Sequence, residues 1–147
     1  MSLPTINGTH RDPRGFVTTF PFVSAQVNSS FTAFAGTIRG LHFREPAEEK
    51  VVLCVRGAIY DVTVDLETGE WFPLYMSMGY TPRYIRKGFA HGFQALEDDT
   101  EVFYVLSELY DPEAERGFKY DSFGIKWPLP PRHLSAKDNA LPYLPVK

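Results

Sequence analysis

Cysteine is nearly absent from this sequence of 147 residues, which contains only Cys54. A single thiol cannot close an intramolecular disulfide, and its apolar surroundings in Val51–Val55 predict a small buried side chain with a structural role. Apolar runs are also short, none longer than five residues, whereas a membrane helix needs about 20. Met1–His10 lacks the charged-then-apolar pattern of a secretion signal. These absences predict a protein of the reducing cytoplasm with no membrane partner.

Positively charged residues are outnumbered, because the sequence has 15 Lys and Arg residues but 18 Asp and Glu residues, which gives a net charge of -3. Without a global positive field the protein is not expected to gather nucleic-acid backbones. Internal repeats, low-complexity tracts and Ser/Gly linkers are missing as well. The length and this continuity predict one domain spanning residues 1–147.

Aromatic residues are abundant at 15%, with 12 Phe and 8 Tyr, and they favour strands over helices. Short strands separated by Gly, Pro and Asp signals are typical of a sandwich or barrel, so we expect an all-β fold. The predicted strands include Phe16–Phe20, Phe31–Ala35, Gly36–Phe43, Trp71–Met78, Tyr84–Arg86, Phe93–Leu96 and Val102–Ser107.

The clearest predicted hairpin joins Val51–Val55 to Ile59–Asp65 through a turn at Arg56–Ala58. Period-two alternation in its second arm places Asp61 on the face that carries Ile59, opposite the face that carries Val62.

One helix is expected at Asp111–Arg116, because Asp111 suits an N-cap and Pro112 suits the first helical position. The proline-rich tail that follows is expected to run extended over the surface, held down by Trp127 and Tyr143.

Three ionisable residues, Arg39, His42 and Lys50, lie near one another on predicted strands. Arg39 and His42 fall on opposite faces of a regular strand, so both reach one pocket only if the strand twists or bulges. An isolated His is more often a half-buried residue bonded to a backbone carbonyl. Lys50 is equally well a snorkelling stem or a fixed cation. The residues alone leave these alternatives open.

Further candidates lie downstream. His91 sits between glycines that let the backbone approach another group closely, although a turn histidine would look the same. Tyr104 and Tyr110 flank a predicted strand and its exit, where a tyrosine is usually a core or rim residue. Asp138 taken by itself is typical of a solvated tail.

A catalytic metal is not expected. Metal-binding barrels of the cupin type carry a Gly followed by a His-x-His pair and then Glu, with a later Gly-x-x-His. Here Gly36 leads to His42, but Arg44 stands where the second histidine would be, and its cation would repel a divalent ion. Only His91 fits the second half, so the ligand set is incomplete.

Six blocks in the same order along nearly the whole chain resemble the dTDP-4-dehydrorhamnose 3,5-epimerase family. The most specific are the RGLHF and GFAHGF segments around His42 and His91. The blocks are Thr37–Phe43, Lys50–Val52, Arg56–Val62, Gly88–Phe93, Gly124–Leu129 and Leu134–Asp138.

The resemblance implies a single-domain cupin-type jelly roll, a homodimer, no cofactor, no metal, and a nucleotide-diphosphate 4-keto-6-deoxy sugar as substrate. By resemblance His42 is the base and Tyr104 the acid of an epimerase, an isomerase of deoxysugar biosynthesis. Asp138 would pair with His42 and stabilise the imidazolium, and Lys50 would stabilise the enolate oxygen.

The resemblance also marks positions that hold the nucleotide-sugar, and it suggests Asp61 as a carboxylate that orients His91. Val17 and Thr19 replace the family's Phe-x-Glu, so a stacking aromatic and a carboxylate against the nucleotide are missing. Glu48 stands where a Gln is expected. The substrate-binding candidates are Arg14, Gln26, Asn28, Arg39, Asp61, His91, Tyr110, Glu115 and Lys137.

Several alternatives stay open at this stage. The enzyme could invert one carbon rather than two, or move the carbonyl as a 4-keto sugar isomerase through the same enolate. A non-catalytic sugar-nucleotide-binding cupin has no need for a base, an acid, a lysine and a carboxylate together. A metal-dependent cupin oxygenase is the least favoured, because the ligand set is incomplete.

Overall fold

Strands make up most of the regular structure in the computed structural model, which describes residues 9–20 and 23–144. The predicted all-β class is confirmed. Most of Met1–His10, inspected above for a secretion signal, lies outside the described residues. The strands are β1 (Thr9–Asp12), β2 (Gly15–Thr18), β3 (Gln26–Thr32), β4 (Ile38–Arg44), β5 (Lys50–Arg56), β6 (Ala58–Asp65), β7 (Trp71–Ser77), β8 (Arg83–Ile85), β9 (Phe89–Ala95), β10 (Thr100–Leu106) and β11 (Glu115–Gly117).

Two antiparallel sheets form the body of the molecule. The four-stranded sheet has the order β3-β10-β5-β8, and the five-stranded sheet has the order β11-β4-β9-β6-β7. β1 and β2 pair with each other as a separate two-stranded sheet. Because most neighbours in the sheets are distant in sequence, the fold depends on long-range pairing rather than on local hairpins.

The core between the two sheets is built by alternation along each strand. Val52 and Val102 from the four-stranded sheet pack with Ile59, Met76 and Phe93 from the five-stranded sheet. A second apolar cluster covers the other face of the five-stranded sheet. It joins Tyr60, Val62, Val64, Leu41, Ala90 and Ile125, with Phe123 and Trp127 against it.

The structure confirms the predicted faces of β6, since Ile59 belongs to the first cluster and Val62 to the second. Asp61 is therefore fully buried on the side that faces the four-stranded sheet. Cys54 is also buried, as predicted.

The predicted hairpin between Val51–Val55 and Ile59–Asp65 is wrong. β5 pairs with β10 and β8, whereas β6 pairs with β9 and β7, so the chain passes from one sheet to the other between them. Gly57 makes this passage at φ +77°, and a Cβ there would collide with Thr100. Both strands are central in their sheets, and each already has two partners.

The predicted helix at Asp111–Arg116 is also wrong. Asp111 does accept a hydrogen bond from the N–H of Glu113 at 3.0 Å, as a cap would, but only one turn forms. The chain then enters β11, where Arg116 pairs with Phe43 of β4. Sheet pairing overrides the local helical preference.

The four-residue helix in the described chain is α1 (Ala136–Asn139), which sequence reasoning missed. Ser135 caps it by accepting a hydrogen bond from the N–H of Asp138 at 3.0 Å. Asp138 is 4% exposed, so it is not a solvated tail residue. A 3-10 turn at Ser122–Gly124 precedes α1. Within residues 9–20 and 23–144, no helix is long and apolar enough to cross a membrane.

The C-terminal segment runs extended over the five-stranded sheet, as predicted. Trp127 donates to the Tyr120 carbonyl at 2.9 Å, and Tyr143 donates to Asp121 at 3.1 Å. The fully buried Gln94 adds a stronger attachment. Its amide exchanges hydrogen bonds with the backbone N–H and carbonyl of Leu129 at 3.0 and 2.9 Å.

A bulge in β4 brings the site residues of that strand to one side. The register against β9 shifts between Arg39 and His42, so that Arg39 pairs with Phe93 and His42 with His91. Gly40 lies in this bulge at φ +119°. The extra residue turns both side chains inward, which is the condition that the sequence set for a shared pocket.

Gly40→Ala is expected to destabilise the fold by about 3 kcal/mol, because strain at positive φ adds to overpacking. A Cβ on Gly40 would lie 2.6 Å from the Gly92 Cα and 2.7 Å from the His91 carbonyl oxygen. Urea denaturation measures the loss. The matched control is Gly79→Ala, which has φ +91° and no atom within 4 Å of its Cβ, and should cost about 1 kcal/mol. Equal losses would show that the close approach of β4 and β9 is unimportant.

Candidate functional site

A cavity of about 400 Å³ opens between the two sheets and is closed on one side by the segment around α1. Side chains that alternate inward from β3, β5 and β10 form one wall, and inward side chains of β4 and β9 form the other. Ten of the candidate residues line it: Asn28, Arg39, His42, Lys50, His91, Tyr104, Tyr110, Glu115, Lys137 and Asp138.

His42 and Asp138 form a close pair at one side of the cavity. The His42 Nε2 lies 2.6 Å from Asp138 Oδ1, and Asp138 Oδ2 accepts the backbone N–H of Gly40 at 3.2 Å. Burial acts to raise the pKa of Asp138, but the hydrogen bond and charge of His42 outweigh it, so this pKa lies below its ordinary value. An ionised Asp138 can therefore orient the imidazole and stabilise its protonated form.

Lys50 lines the cavity and does not snorkel to the surface. Its side chain is only 14% exposed, and its Nζ lies 3.8 Å from Glu48 Oε1. Burial lowers the pKa of Lys50, while the nearby carboxylates of Glu48 and Glu115 oppose that shift. Burial likewise raises the pKa of Glu48, against the charge of Lys50. The pair places a donor and a carboxylate inside the cavity.

Tyr104 lies on the wall opposite His42, since β10 belongs to the four-stranded sheet and β4 to the five-stranded sheet. Burial raises the pKa of its phenol, which stays protonated at neutral pH. The ring also packs edge-on against His91, with centroids 6.0 Å apart. The cavity thus has a basic nitrogen on one wall and a protonated hydroxyl on the other.

A second histidine–carboxylate pair lies deeper between the sheets. The His91 Nε2 is 2.6 Å from Asp61 Oδ1, and both side chains are buried. Asp61 does not line the cavity itself but stands behind His91, where the sequence analysis placed it. Burial lowers the pKa of His91, with Asp61 opposing and the cations Lys50 and Arg83 adding to the shift.

Arg39 is held by two hydrogen bonds to β3. Its Nε donates to Thr32 Oγ1 at 3.0 Å, and its Nη2 donates to the Phe31 carbonyl at 2.9 Å. Lys137 reaches the same cavity from α1. With Lys50 these two residues bring three cationic side chains to a cavity that also holds the carboxylates of Glu48, Glu115 and Asp138. The cations offer charge-assisted hydrogen bonds to an anionic ligand.

Three candidates do not line this cavity, namely Asp61, which stands behind His91, and Gln26 and Arg14. Gln26 bonds to the Asn28 side chain at 2.7 Å and accepts the Tyr110 N–H at 2.9 Å, so it supports two residues that line the cavity. Arg14 lies in the β1–β2 turn, 90% exposed and paired with Asp12 at 2.6 Å. This chain's own cavity therefore lacks Arg14.

Sequence reasoning missed several residues of this region. Ser30 and His133 line the cavity, and Arg83 bonds to the buried Asp61. Ser30 had a usable signal, because it alternates with Asn28 on β3. The sequence carries no such signal for Arg83, because its role depends on contacts between the two sheets.

Within residues 9–20 and 23–144, no group of three or more His, Cys, Asp or Glu side chains is arranged to hold a metal ion. The groups at the cavity include His42 with Asp138, His91 with Asp61 behind it, the phenol of Tyr104 and Lys50. These are groups for proton transfer and for charge stabilisation.

Comparison with known proteins places the chain in context. A family model described as dTDP-4-dehydrorhamnose 3,5-epimerase matches residues 9–145. A curated dTDP-4-dehydrorhamnose 3,5-epimerase from Sinorhizobium fredii is 41% identical over 130 residues, which cover 81% of this chain and 67% of that relative. Across three such relatives the match spans 56% to 67% of their length.

Solved structures agree with the sequence relatives. A dTDP-4-dehydrorhamnose 3,5-epimerase from Bacillus anthracis, with TDP and PPi bound, has a TM-score of 0.82 and 35% identity, covering 93% of this chain and 90% of that chain. A 3'-monoepimerase from Streptomyces bikiniensis, in complex with dTDP-quinovose, has a TM-score of 0.79 and 30% identity, covering 92% and 80%. The predicted cupin-type jelly roll is confirmed by this similarity.

Asp138→Asn is expected to cost about 1–2 kcal/mol of stability near neutral pH, the worth of a hydrogen bond to a charged group. Because the pKa of Asp138 is lowered in the folded state, its contribution is present above the unfolded pKa of about 4. It is lost as the pH falls through the lower folded pKa. Urea denaturation of both proteins at about pH 7 and about pH 3 measures the difference.

The matched control is Asp121→Asn, which removes a surface carboxylate bonded to Tyr143. We expect it to change stability little at either pH. A cost of Asp138→Asn that is equal at both pH values would contradict the assignment of an ionised Asp138.

Proposed function

The chain belongs to the dTDP-4-dehydrorhamnose 3,5-epimerase family, and we propose that it epimerises a nucleotide-diphosphate 4-keto-6-deoxyhexose without a cofactor. The observation that carries the proposal is the placement of the His42–Asp138 pair and Tyr104 on opposite walls of one cavity. Inversion of a carbon needs a base on one face of the sugar and an acid on the other. The two sheets supply one group each.

The reaction follows from the ketone. A carbonyl at C4 acidifies the hydrogens at C3 and C5, so His42 can take a proton and leave an enolate whose charge lies on the C4 oxygen. Asp138 stabilises the imidazolium that forms. Lys50 donates to the enolate oxygen, and its burial strengthens that interaction. Tyr104 then returns a proton to the opposite face, which inverts the carbon.

The nucleotide-diphosphate is assigned to the cations around the cavity. Arg39 and Lys137 supply positive charge, and the relative from Bacillus anthracis was solved with TDP and PPi bound. Polar groups also come from Asn28, Tyr110 and Glu115, which line the cavity. Glu48 adds a carboxylate at a position where the family pattern has Gln.

Within this activity, the enzyme inverts either one carbon of the sugar or two. Similarity to a 3'-monoepimerase keeps the single-centre enzyme as the second candidate. A 4-keto sugar isomerase would use the same enolate and differ only in its product. A protein that only bound the nucleotide-sugar would need neither the base nor the acid nor the lysine.

We propose that the protein acts as a homodimer in which Arg14 reaches the cavity of the second copy. β1 and β2 pair only with each other among the described strands, and they carry Arg14 away from this chain's own cavity. The outer face of the four-stranded sheet also exposes apolar side chains. Val27 is 60% exposed and Phe31 51% exposed, while Phe103 is exposed on the adjacent strand.

Proton exchange tests the chemistry directly. With dTDP-4-keto-6-deoxyglucose in deuterated buffer, we expect the wild type to wash out the NMR signals at C3 and C5. His42→Ala should slow this exchange by at least about 100-fold, the usual contribution of a general base. Tyr104→Phe should still exchange but form no inverted product, because the enolate forms and only the acid is missing.

Tyr143→Phe is the control, because it removes a surface hydroxyl bonded to Asp121 and should exchange and invert normally. Exchange at C3 alone in the wild type would identify a single-centre epimerase. Exchange that persists unchanged in His42→Ala would refute the role of this histidine.

Light scattering tests the dimer, which should have twice the 16.7 kDa mass of one chain. Phe31→Asp places a charge in the exposed apolar face and should yield monomers. Met78→Asp, at a side chain 75% exposed after β7, should leave the dimer intact. A wild-type monomer would refute both the interface and the assignment of Arg14.

Mixing two weak variants tests the placement of Arg14 itself. In a mixed dimer of Arg14→Ala and His42→Ala, one of the two cavities would contain both an intact His42 and an intact Arg14. Random mixing should therefore restore about a quarter of the wild-type sites, since half the dimers are mixed. No regain of activity would place Arg14 outside the partner's cavity.

A further inference from the structure

Arg83 ties the two sheets together behind the cavity. It lies on β8 of the four-stranded sheet, yet all four hydrogen bonds of its side chain go to the five-stranded sheet. Nη1 donates to the carbonyl and to Oδ2 of Asp61, both at 3.1 Å. Nη2 donates to Thr63 Oγ1 and to the Phe72 carbonyl, both at 2.8 Å. The Arg83 side chain is 15% exposed, so it is mostly withdrawn from solvent, and four hydrogen bonds orient its guanidinium.

Asp61 consequently has two different partners on its two oxygens. Oδ1 is 2.6 Å from His91 Nε2, and Oδ2 accepts from Arg83. The carboxylate is fully buried, and a buried carboxylate stays ionised only when a cation and hydrogen bonds compensate it. Arg83 supplies that compensation, so the Asp61–Arg83 pair carries no net charge.

His91 faces this neutral pair and not an isolated carboxylate. Burial lowers its pKa, and the charges of Lys50 and Arg83 add to the shift while Asp61 opposes it. The ring is therefore neutral at physiological pH. The titratable and charged groups that face it are Asp61 on β6, Arg83 on β8, Lys50 on β5, Tyr104 on β10 and His42 on β4.

The position of the single ring hydrogen follows. An ionised Asp61 has no hydrogen to donate, so the bond at Nε2 requires the hydrogen to be on His91. Nδ1 of the neutral ring then carries a lone pair and no hydrogen. It makes no hydrogen bond to the described residues, and the ring lines the cavity. Nδ1 is therefore a hydrogen-bond acceptor.

The carboxylate beside His42, that of Asp138, has different partners from the carboxylate of Asp61 beside His91. The second oxygen of Asp138 accepts a backbone N–H from Gly40, and no cationic side chain in the described chain hydrogen-bonds to it besides His42. Lys137 acts on Asp138 only through its charge. The two pairs therefore differ in what holds the second carboxylate oxygen, which is a backbone N–H for Asp138 and a guanidinium for Asp61.

We propose that Arg83 is a positioning residue that keeps Asp61 ionised and so holds His91 as a neutral imidazole whose Nδ1 accepts a hydrogen bond from a sugar hydroxyl. Removal of the guanidinium would leave an unpaired buried carboxylate, which would draw a proton onto His91. The protonated ring could no longer accept from a hydroxyl. Only the identification of the hydroxyl rests on the proposed function, whereas the charge state of His91 does not.

Nitrogen-15 NMR of the histidine rings in the full chain tests the charge state without substrate. We expect His91 of the wild type to show the neutral Nε2–H form throughout about pH 6 to 8. In Arg83→Met the His91 signals should move toward the protonated form in the lower part of that range. Arg83→Lys keeps the positive charge and should keep His91 neutral.

Two further variants complete the series. Arg86→Met removes a neighbouring arginine that stacks on Phe89 and should leave His91 neutral. Arg83→Met combined with Asp61→Asn removes both buried charges, so it should fold even if Arg83→Met alone does not, and its His91 should again be neutral. A His91 that stays neutral in Arg83→Met, or that is protonated in the double variant, would overturn the proposal.

Kinetics with the nucleotide-sugar address the hydroxyl. Arg83→Met should raise KM about tenfold near pH 6 and change kcat less, as expected for one lost hydrogen bond. The ratio to wild type should approach one as the pH rises and His91 loses its proton. A KM defect that is independent of pH would overturn the hydroxyl assignment. A protein that shows the NMR changes but no turnover would refute the proposed function and leave the charge state of His91 established.

Discussion

Asp138 is the point on which the geometry of the site depends. Its Oδ1 lies 2.6 Å from His42 Nε2, and its Oδ2 accepts a hydrogen bond from the backbone N–H of Gly40 at 3.2 Å. The first bond orients the imidazole, and the second fixes the bulge that turns His42 into the cavity. Asp138 is buried because Ser135 caps α1 and because Gln94 fastens the preceding segment to the sheet. The tail is therefore a structural part of the site.

Cationic side chains gather at the cavity although the molecule as a whole is negatively charged. The chain carries a net charge of -3, yet Arg39, Lys50 and Lys137 converge on one cavity. These cations can offer a diphosphate charge-assisted hydrogen bonds, while the carboxylate of Glu48 lies 3.8 Å from Lys50 and offsets its charge. Local placement and not overall composition determines which small anion such a protein can bind, so the prediction against nucleic acid that rests on net charge says nothing against a nucleotide.

Patterns within single strands were predictable from the sequence, whereas contacts between sheets were not. Alternation in β6 placed Asp61 correctly, and the spacing of Arg39 and His42 required the bulge that β4 contains. The hairpin prediction failed because Gly57 lets the chain change sheets, a choice that no local signal distinguishes from a turn. The role of Arg83 was not predicted, because the three residues that its side chain bonds lie on strands of the other sheet.

The change of sheet at Gly57 explains why the site can have two walls. If β5 and β6 had formed a hairpin, Lys50 and Asp61 would lie in one sheet and act from the same side. Their separation lets β5 and β10 supply Lys50 and Tyr104 to one wall, while β4 and β9 supply His42 and His91 to the other. Packed sheets lie about 10 Å apart, a gap that accommodates a sugar ring with a group on each face. The two sheets therefore place His42 and Tyr104 on opposite walls of one cavity, which is the arrangement that the proposed inversion of a carbon needs.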